Sequence, residues 1–227
     1  MSNSQIEIKS YYDKLAATYD EDRFANSYGW FINQQERSIL TQWLRDIHPD
    51  EGLDLACGTG RFLDFSHTGA DISPEMIAVS ADKFPQHTLV VANATELPFA
   101  DQSFSHVTCF HLLMHLDKPT AQLLVREVYR VLKPGGTFIV DVPSGPRRKL
   151  TGYQASGWHA GTNWFASDLK SVFEPDFEQV ALRGISMMPL HRLSASMRQK
   201  LVHLDAWLGN TPLKTYASYW MMNYAKR

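Results

Sequence analysis

The stretch LDLACGTGRF, residues 53–62, decides the fold of this 227-residue chain. Residues 53–57 have the apolar composition of a buried strand, and Gly58-Thr59-Gly60 lets the backbone turn where side chains would obstruct it. A G-x-G turn occurs both in plain strand-to-helix connections and where a backbone approaches a ligand closely. The segments around the turn must decide between these two interpretations.

Composition and charge limit the classes of protein to consider. Apolar residues make up 44% and charged residues 20%, as in globular chains, and 227 residues suit one domain with an attached cap. The formal charge of −2, with no basic run longer than Arg147-Arg148-Lys149, gives no electrostatic footprint for nucleic acid. The start lacks the apolar core of a signal peptide, and no apolar run approaches membrane-spanning length. We therefore expect a cytoplasmic protein without nucleic-acid or membrane partners, with Cys57 and Cys109 as buried free thiols.

Predicted strands and helices alternate along the chain, the pattern of an open parallel sheet covered by helices. Ser73-Pro74 has the form of an N-cap followed by proline at the first helical position. Lys133-Pro134-Gly135-Gly136 is predicted to end the helix over residues 119–132. Strands are predicted at 53–57, 69–72, 89–92, 106–110, 137–142, 179–188 and 214–226, the last two paired antiparallel at the sheet edge. Helices are predicted at 5–22, 30–46, 61–65, 74–83 and 119–132.

Polar and aromatic side chains fall at the ends of successive predicted strands. Asp71 ends the second strand, Asn93 follows the third, and Phe110 ends the fourth. In such a sheet the ligand crevice lies beyond the carboxyl ends of the strands, where the Gly58–Gly60 turn also lies. A carboxylate can accept both hydroxyls of a ribose, and an asparagine carbonyl can accept from an adenine amino group. These residues predict a nucleoside pocket.

The turn differs from that of a dinucleotide site. A G-x-G-x-x-G fingerprint needs a third glycine for close packing under the pyrophosphate, and that position is Leu63. Asp54 places a negative charge beside the turn, which suits a cationic ligand better than a pyrophosphate. Both observations favour a ligand with adenosine at one end and an amino group at the other, rather than NAD.

Five stretches together resemble the class I S-adenosylmethionine-dependent methyltransferases, in their broad small-molecule group. They are LDLACGTGRF, GADISPEMI, ANATELPFADQSFSHV, MHL and EVYRVLKPGGTFIV, and they follow the family's order across residues 53–140. YYDKLAATYDEDR, residues 11–23, is similar to that group's lid helix. The resemblance implies an α/β fold, a Rossmann-like doubly wound, mostly parallel seven-stranded sheet with an antiparallel edge strand. It implies a single domain, 1–227, made of a helical lid (1–46), a cofactor-binding core (47–143) and a substrate cap with the last strands (144–227).

The resemblance also implies the cofactor, S-adenosyl-L-methionine, and the residues that bind it. The backbone at Ala56 and Gly58 would hold its amino-acid end, Asp71 its ribose, and Asn93 with the Ala94 backbone the adenine edge. The other residues implied at the cofactor are Tyr11, Tyr19, Arg23, Ile72, Met76, Thr95, Phe110 and His115. The family commonly has aspartate at the positions of Asn93 and Ser105, and the segment from Gly60 to Asp71 is short for the family.

Residues 151–165, TGYQASGWHAGTNWF, follow the fifth strand and combine glycines with aromatic side chains. We expect this loop and the following helix to enclose a small, largely apolar acceptor. That helix carries an apolar stripe that would lie over the strand ends, formed by Leu193, Met197, Leu201, Leu204 and Leu208. His159 is the candidate general base. The predicted substrate-binding residues are Tyr153, Trp158, His159, Trp164 and His191.

The function predicted from these residues is methyl transfer to an O, N or C atom of a small molecule by in-line displacement. His111 and His115 are four residues apart but lack a third metal ligand nearby, so no metal is predicted. Three alternatives remain at this point: a regulatory cofactor-binding protein, an enzyme that uses the sulfonium for another reaction, and a nucleic-acid methyltransferase. The sequence leaves the acceptor and the oligomeric state open.

Overall fold

The computed structural model describes residues 3–227 except Ser156, Trp158, His191 and Arg192. The substrate-binding predictions for Trp158 and His191 therefore lie outside the described residues. The helices are α1 (Asn3–Leu15), α2 (Tyr19–Phe24), α3 (Ser27–Trp43), α4 (Pro74–Lys83), α5 (Lys118–Val131), α6 (Gly145–Thr151), α7 (Ala166–Phe173) and α8 (Ala195–Leu208). The strands are β1 (Gly52–Leu55), β2 (Thr68–Asp71), β3 (Thr88–Val91), β4 (Phe104–Cys109), β5 (Leu132–Pro143), β6 (Phe177–Ile185) and β7 (Tyr219–Lys226).

The strands form one seven-stranded sheet in the order β3-β2-β1-β4-β5-β7-β6. Strands β1 to β5 are parallel to their neighbours, and β7 lies between β5 and β6, antiparallel to both. The predicted fold class is confirmed. Because the strand order reverses between β1 and β4, the carboxyl ends of these two strands border the crevice where such sheets bind ligands.

Local signals predicted the central helices well. The Ser73 side chain accepts a hydrogen bond from Met76 N and Pro74 occupies the first turn of α4, as the sequence indicates. Asp117 caps α5 by accepting from Thr120 N. The apolar stripe of α5 is buried in the main core, through Ala121, Leu124, Val125, Val128 and Val131. Cys57 and Cys109 are buried free thiols, as predicted.

The N-terminal and later helices differ from the prediction. The predicted helix over 5–22 is broken after Leu15, and α3 begins earlier than predicted because Asn26 caps it by accepting from Tyr28 N and Gly29 N. Residues 133–136 do not precede the fifth strand but form part of β5, where Gly135 has a φ of +73°. Helices α6 and α7 were not predicted from the sequence.

The predicted packing of α8 is wrong. Met197 and Leu204 are exposed, whereas Arg198 and Asp205 form the buried side of the helix. Asp205 accepts hydrogen bonds from Gln35 of α3 at 2.7 Å and from the backbone N–H groups of residues 187 and 188. Specific polar contacts therefore hold α8 in place, while Met197 and Leu204 of the predicted stripe are exposed and Leu201 and Leu208 are half-buried.

Among the helices that the structure describes, none has both the length and the apolarity that crossing a bilayer requires.

Candidate active site

Two adjoining cavities lie at the carboxyl ends of the parallel strands. The inner cavity, about 80 Å³, is bordered by the ends of β1, β2 and β4, the residues after β3, and one side of α1. The outer cavity, about 450 Å³, is bordered by α2, α3, α6 and residues of the 153–160 segment. Four side chains border both cavities: Tyr12, Tyr19, His111 and His115. A molecule in the inner cavity could therefore meet a molecule in the outer cavity at these four residues.

The turn after β1 has an unusual backbone. Gly58 has a φ of +55°, and a Cβ placed on it would meet nothing within 4 Å. Ala56 has a φ of +60° and also borders the inner cavity. A non-glycine residue in this region is strained, and such strain is concentrated at functional sites. The turn thus presents open backbone to the inner cavity, as its sequence predicts.

Asp71 borders the inner cavity at the end of β2, as predicted. One of its carboxylate oxygens accepts from Gly58 N and the other from Ser73 N, both at 2.9 Å. Burial raises the pKa of this carboxyl although these N–H groups lower it in part. Each oxygen can accept a second hydrogen bond, so the ribose interaction predicted for Asp71 is compatible with these contacts.

Asn93 differs from its predicted role. Its Oδ1 already accepts from the backbone N–H and the hydroxyl of Thr95, and from Gln5 of α1 at 3.3 Å. These bonds form an Asx-type turn after β3, a common use of asparagine at a strand end. The oxygen that was expected to accept from an adenine amino group is thus engaged within the chain.

Most of the residues predicted at the cofactor come together. Those that border the inner cavity are Tyr19, Ala56, Gly58, Asp71, Ile72, Met76, Asn93, Ala94, Phe110 and His115. The other three do not. Thr95 is engaged with Asn93, Tyr11 lies against His159 with ring centroids 5.4 Å apart, and Arg23 borders the outer cavity.

Sequence reasoning missed Tyr12, which borders both cavities. Its hydroxyl lies 2.9 Å from His115 Nε2, while His115 Nδ1 accepts from Ala160 N at 3.0 Å. Because Nδ1 is an acceptor, the neutral ring carries its proton on Nε2 and donates it to the Tyr12 hydroxyl. Burial lowers the pKa of His115 to about 3, and the neighbouring His159 adds to the effect. The sequence signals for Tyr12 were its place in the stretch YYDKLAATYDEDR, beside Tyr11, and its position seven residues before Tyr19.

His111 lies between two buried carboxylates that the sequence analysis did not connect with it. Its Nδ1 is 3.2 Å from Asp141 Oδ2, and its Nε2 is 3.0 Å from Glu36 Oε1 although outside hydrogen-bond geometry. Burial alone would lower the pKa of His111, but Asp141 and Glu36 raise it above its ordinary value. His111 also has a φ of +57°.

The same three side chains have the residue types of a metal site, since their donor atoms lie within 4.8 Å of one another. However, the two ring nitrogens of His111 face different carboxylates, and Arg61 pairs with Glu36 from the other side. This geometry describes an imidazole held between two carboxyl groups, both of which raise its pKa. The acidic partners of His111 carried no local sequence signal, because α3 and the end of β5 bring them there.

The predicted substrate-binding residues separate into two groups. Tyr153 and His159 border the outer cavity, as predicted. Trp164 does not, and its prediction is wrong: the side chain is fully buried in the main core, and its indole N–H donates to Leu113 O at 3.3 Å. Arg147 and Arg148 of the basic run also border this cavity, and so do Tyr28 and Tyr219, which sequence reasoning missed.

His159 is half-buried beside the shared boundary of the cavities. Its ring centroid lies 4.7 Å from that of His115. Burial lowers the pKa of His159, and the positive charge of Arg23 lowers it further. The ring is therefore neutral at pH 7 and has the protonation state that a general base needs.

These features define a class of protein. Residues 53–140 match the family model described as a methyltransferase domain. This segment belongs to the class I S-adenosylmethionine-dependent methyltransferases, as the sequence motifs indicate.

Individual relatives match the chain over more than half of its length. An uncharacterised protein of Methanocaldococcus jannaschii is 41% identical over 138 residues, 60% of this chain and 51% of that protein. A demethylmenaquinone methyltransferase of Chlorobaculum parvum is 33% identical over 160 residues, 66% of this chain and 65% of that protein. The chain thus spans between about half and two thirds of the length of these relatives.

A solved structure shows the same fold. Magnesium protoporphyrin IX methyltransferase from Synechocystis PCC 6803, with bound S-adenosylmethionine, aligns with a TM-score of 0.68. The alignment covers 100% of this chain and 99% of that one at 11% identity.

The residues of the inner cavity fit S-adenosylmethionine. Gly58 leaves room for close approach to the backbone, Asp71 offers carboxylate oxygens, and the aromatic faces of Tyr12 and Tyr19 suit a sulfonium. A volume of about 80 Å³ is small for the whole cofactor, since Gln5, Ile8 and Tyr12 of α1 cover the cavity.

Proposed function

We propose that this protein transfers a methyl group from S-adenosylmethionine to a small molecule bound in the outer cavity. The observation that carries the proposal is the shared boundary of the two cavities, formed by Tyr12, Tyr19, His111 and His115. In-line displacement requires donor and acceptor to meet across one short contact, from which water is excluded. Two cavities that share one aromatic and imidazole boundary meet that requirement.

S-adenosylmethionine, when bound, supplies a methyl group already activated by a positive sulfur, so the protein has mainly to align and shield. Asp71 and the Gly58 turn hold the nucleoside and amino-acid parts. Tyr12 and Tyr19 present aromatic faces towards a cationic centre at the boundary. His115 stays neutral and fixes the Tyr12 hydroxyl through Nε2.

His159 is the proposed general base for an acceptor that must lose a proton. It borders the outer cavity, its low pKa keeps the ring neutral at pH 7, and its neighbour His115 borders both cavities. The proton of an acceptor hydroxyl or ammonium group would pass to the imidazole as the new bond forms.

We propose a division of labour along the chain that follows the cavities. Residues 1–46 act as a lid, residues 47–143 bind the cofactor, and residues 144–227 complete the acceptor site. The contacts of α1 support the lid role: Gln5 donates to Asn93, and Ser73 donates to Asp13 at 2.5 Å. These few polar contacts can open without disturbing the sheet.

The proposal is tested in two steps. Isothermal titration should show binding of S-adenosylmethionine and of its demethylated product, and no binding of NAD. Mass spectrometry of small molecules incubated with enzyme and cofactor should then show a product that has gained one methyl group. Cofactor binding without any methylated product from broad acceptor mixtures would favour a regulatory role or another reaction at the sulfonium.

Asp71→Ala tests the assignment of the inner cavity. Loss of charge-assisted hydrogen bonds should weaken cofactor binding by about 1.5–3 kcal/mol. The unfolding free energy must be measured alongside, because Asp71 also accepts from Gly58 N and Ser73 N. Undiminished affinity in a folded variant would remove the ribose role from Asp71.

A further inference from the structure

The outer cavity has an unbalanced set of charges. Three arginines border it, Arg23, Arg147 and Arg148, together with one carboxylate, Asp22. Among the ion pairs of the described residues, none includes any of these three arginines or Asp22. The wall therefore carries positive charge that the described part of the chain does not neutralise.

The His111 cluster does not change this balance. Arg61 pairs with Glu36, and His111 lies between Glu36 and Asp141, which both raise its pKa, so these groups interact with one another. The other imidazoles at the cavity, His115 and His159, have lowered pKa values and are neutral at pH 7. The excess charge thus resides on the arginines.

Arg148 is the most informative of the three because it is only 9% exposed. Its Nη1 donates to Ala160 O at 2.7 Å and also to Thr162 O and Asn163 Oδ1, all of them neutral acceptors. Among the described residues, its Nε and Nη2 have no hydrogen-bond partner. Neither of these two nitrogens is among the buried unpartnered atoms of the described residues, and Arg148 borders the outer cavity, so they can be reached from it. A largely buried guanidinium without a counter-charge is costly, which favours an anion as its partner there.

Arg147 is adjacent on α6 and is held in a similar way. Among the described residues, its Nη1 donates to the carbonyls of Met187 and Tyr216, at 3.4 and 3.3 Å. Arg23 is set apart from this pair because it lies on α2 and donates to the Tyr11 hydroxyl at 3.0 Å. Arg147 and Arg148 are therefore the two arginines that α6 presents to the outer cavity.

We propose that the acceptor carries one anionic group, a carboxylate or a phosphate, which Arg147 and Arg148 bind at the α6 wall of the outer cavity. The planar guanidinium forms paired hydrogen bonds with either anion. The ring of Tyr153 lies 4.5 Å from the Arg148 guanidinium carbon and, with Tyr28 and Tyr219, provides an aromatic wall for the rest of the molecule. This inference rests on the proposed function, since it names the substrate class of the same site.

Matched probes test the charge requirement without turnover. The protein is saturated with S-adenosylhomocysteine, and each probe is titrated calorimetrically: benzoate, phenylacetate and indole-3-acetate, each against its primary amide. Phenyl phosphate against phenol distinguishes a phosphate from a carboxylate. At least one anion should bind roughly 10- to 100-fold more tightly than its neutral counterpart, the scale of charge-assisted hydrogen bonds.

Variants on α6 locate the effect. Arg148→Gln should remove most of the preference for the anion, whereas Lys149→Gln, an exposed neighbour outside the cavity lining, should leave it unchanged. If Arg148→Gln does not fold, Arg147→Gln provides the same comparison from the less buried arginine. Equal loss of the preference in the Lys149 variant would point to general surface charge and would overturn the proposal.

Three further results would overturn it: neutral members binding as tightly as the anions, neutral members binding alone, or no member of any pair binding. The proposed function is judged separately, by cofactor binding and by a methylated product. A methylated product that forms from neutral acceptors only would leave the methyltransferase in place and exclude the anionic acceptor.

Discussion

The inner and outer cavities adjoin each other, yet they are built in different ways. The inner cavity is bordered mainly by residues at strand ends, such as Ala56, Asp71 and Phe110, whose positions are fixed by the sheet. The outer cavity is bordered mainly by α2, α3, α6 and the residues Tyr153, His159 and Ala160, which lie outside the sheet. Only the inner cavity falls largely within the segment that matches the methyltransferase family. The proposed cofactor site is thus held mainly by the sheet, whereas the proposed acceptor site is held mainly by helices and loops, where function varies on a fixed fold.

Gly58→Val should have the largest effect of the substitutions proposed here, because it should abolish cofactor binding in the inner cavity. A β-branched side chain at a φ of +55° strains the turn and projects into the open space where the cofactor backbone contact is proposed. Cofactor binding measured by calorimetry should fall below detection. Gly135→Val is the matched control, because Gly135 also has a positive φ, +73°, and open space but lies away from both cavities. Normal cofactor binding by the Gly58 variant would place the ligand elsewhere.

His159→Ala should affect the outer cavity alone. Loss of a general base lowers turnover by roughly 10²- to 10⁴-fold, and cofactor affinity should stay unchanged because His159 does not border the inner cavity. Since burial and Arg23 lower the pKa of His159, the acidic limb of the rate profile should lie below pH 6.5 in the native enzyme. His203→Ala, at an exposed position, is the control. Equal turnover in both variants would remove the proposed base.

Substitutions at two neighbouring positions on α8 test which contacts hold this helix in place. Asp205→Asn should cost about 1.5–3 kcal/mol of unfolding free energy, because a buried charged acceptor of three hydrogen bonds is altered. Leu204→Gln should change the unfolding free energy by less than about 0.5 kcal/mol, because Leu204 is exposed. Urea denaturation measures both. A larger loss of unfolding free energy from Leu204→Gln than from Asp205→Asn would support the apolar packing of α8 that the sequence predicted.

His115, at the boundary of the two cavities, should give a pH-dependent stability. Its pKa is about 3 in the folded protein and about 6.5 when unfolded, so below pH 6.5 the unfolded chain binds a proton that the folded chain does not. Stability should therefore fall with falling pH, by up to about 1.4 kcal/mol per pH unit from this residue. His115→Gln should lose that component between pH 6.5 and 5, while His203→Gln should retain it. Identical pH slopes in all three proteins would mean that His115 titrates normally.

The sequence predicted the inner cavity well because its signals are local. Gly58, Asp71 and the Ser73 cap each lie in a short motif at a strand end, and parallel pairing then brings the strand ends together. Trp164 and Glu36 were not predictable in the same way. In the sequence, Trp164 resembles an aromatic residue of a loop, but in the structure its indole N–H donates to Leu113 O in the core. Glu36 becomes a partner of His111 only through the packing of α3.

The apolar stripe on α8 shows a second limit. Periodic leucines predict a buried face only when no stronger contact sets the rotation of the helix. Here Asp205 bonds to Gln35 and to two backbone N–H groups, and Arg198 donates to three carbonyls, which turns the polar side inward. Long-range hydrogen bonds of this kind leave no periodic trace in the sequence.

The position of β7 between β5 and β6 has a consequence for synthesis. Strand β6 bonds only to β7 within this sheet, and β7 comes more than thirty residues later in the chain. Until the ribosome releases β7, β6 has no neighbour, and the apolar edge of β5 around Phe138, Val140 and Val142 is open. Open edges of this kind favour association between chains. The nascent chain therefore passes through a vulnerable interval that ends only when β7 inserts and joins the two strands.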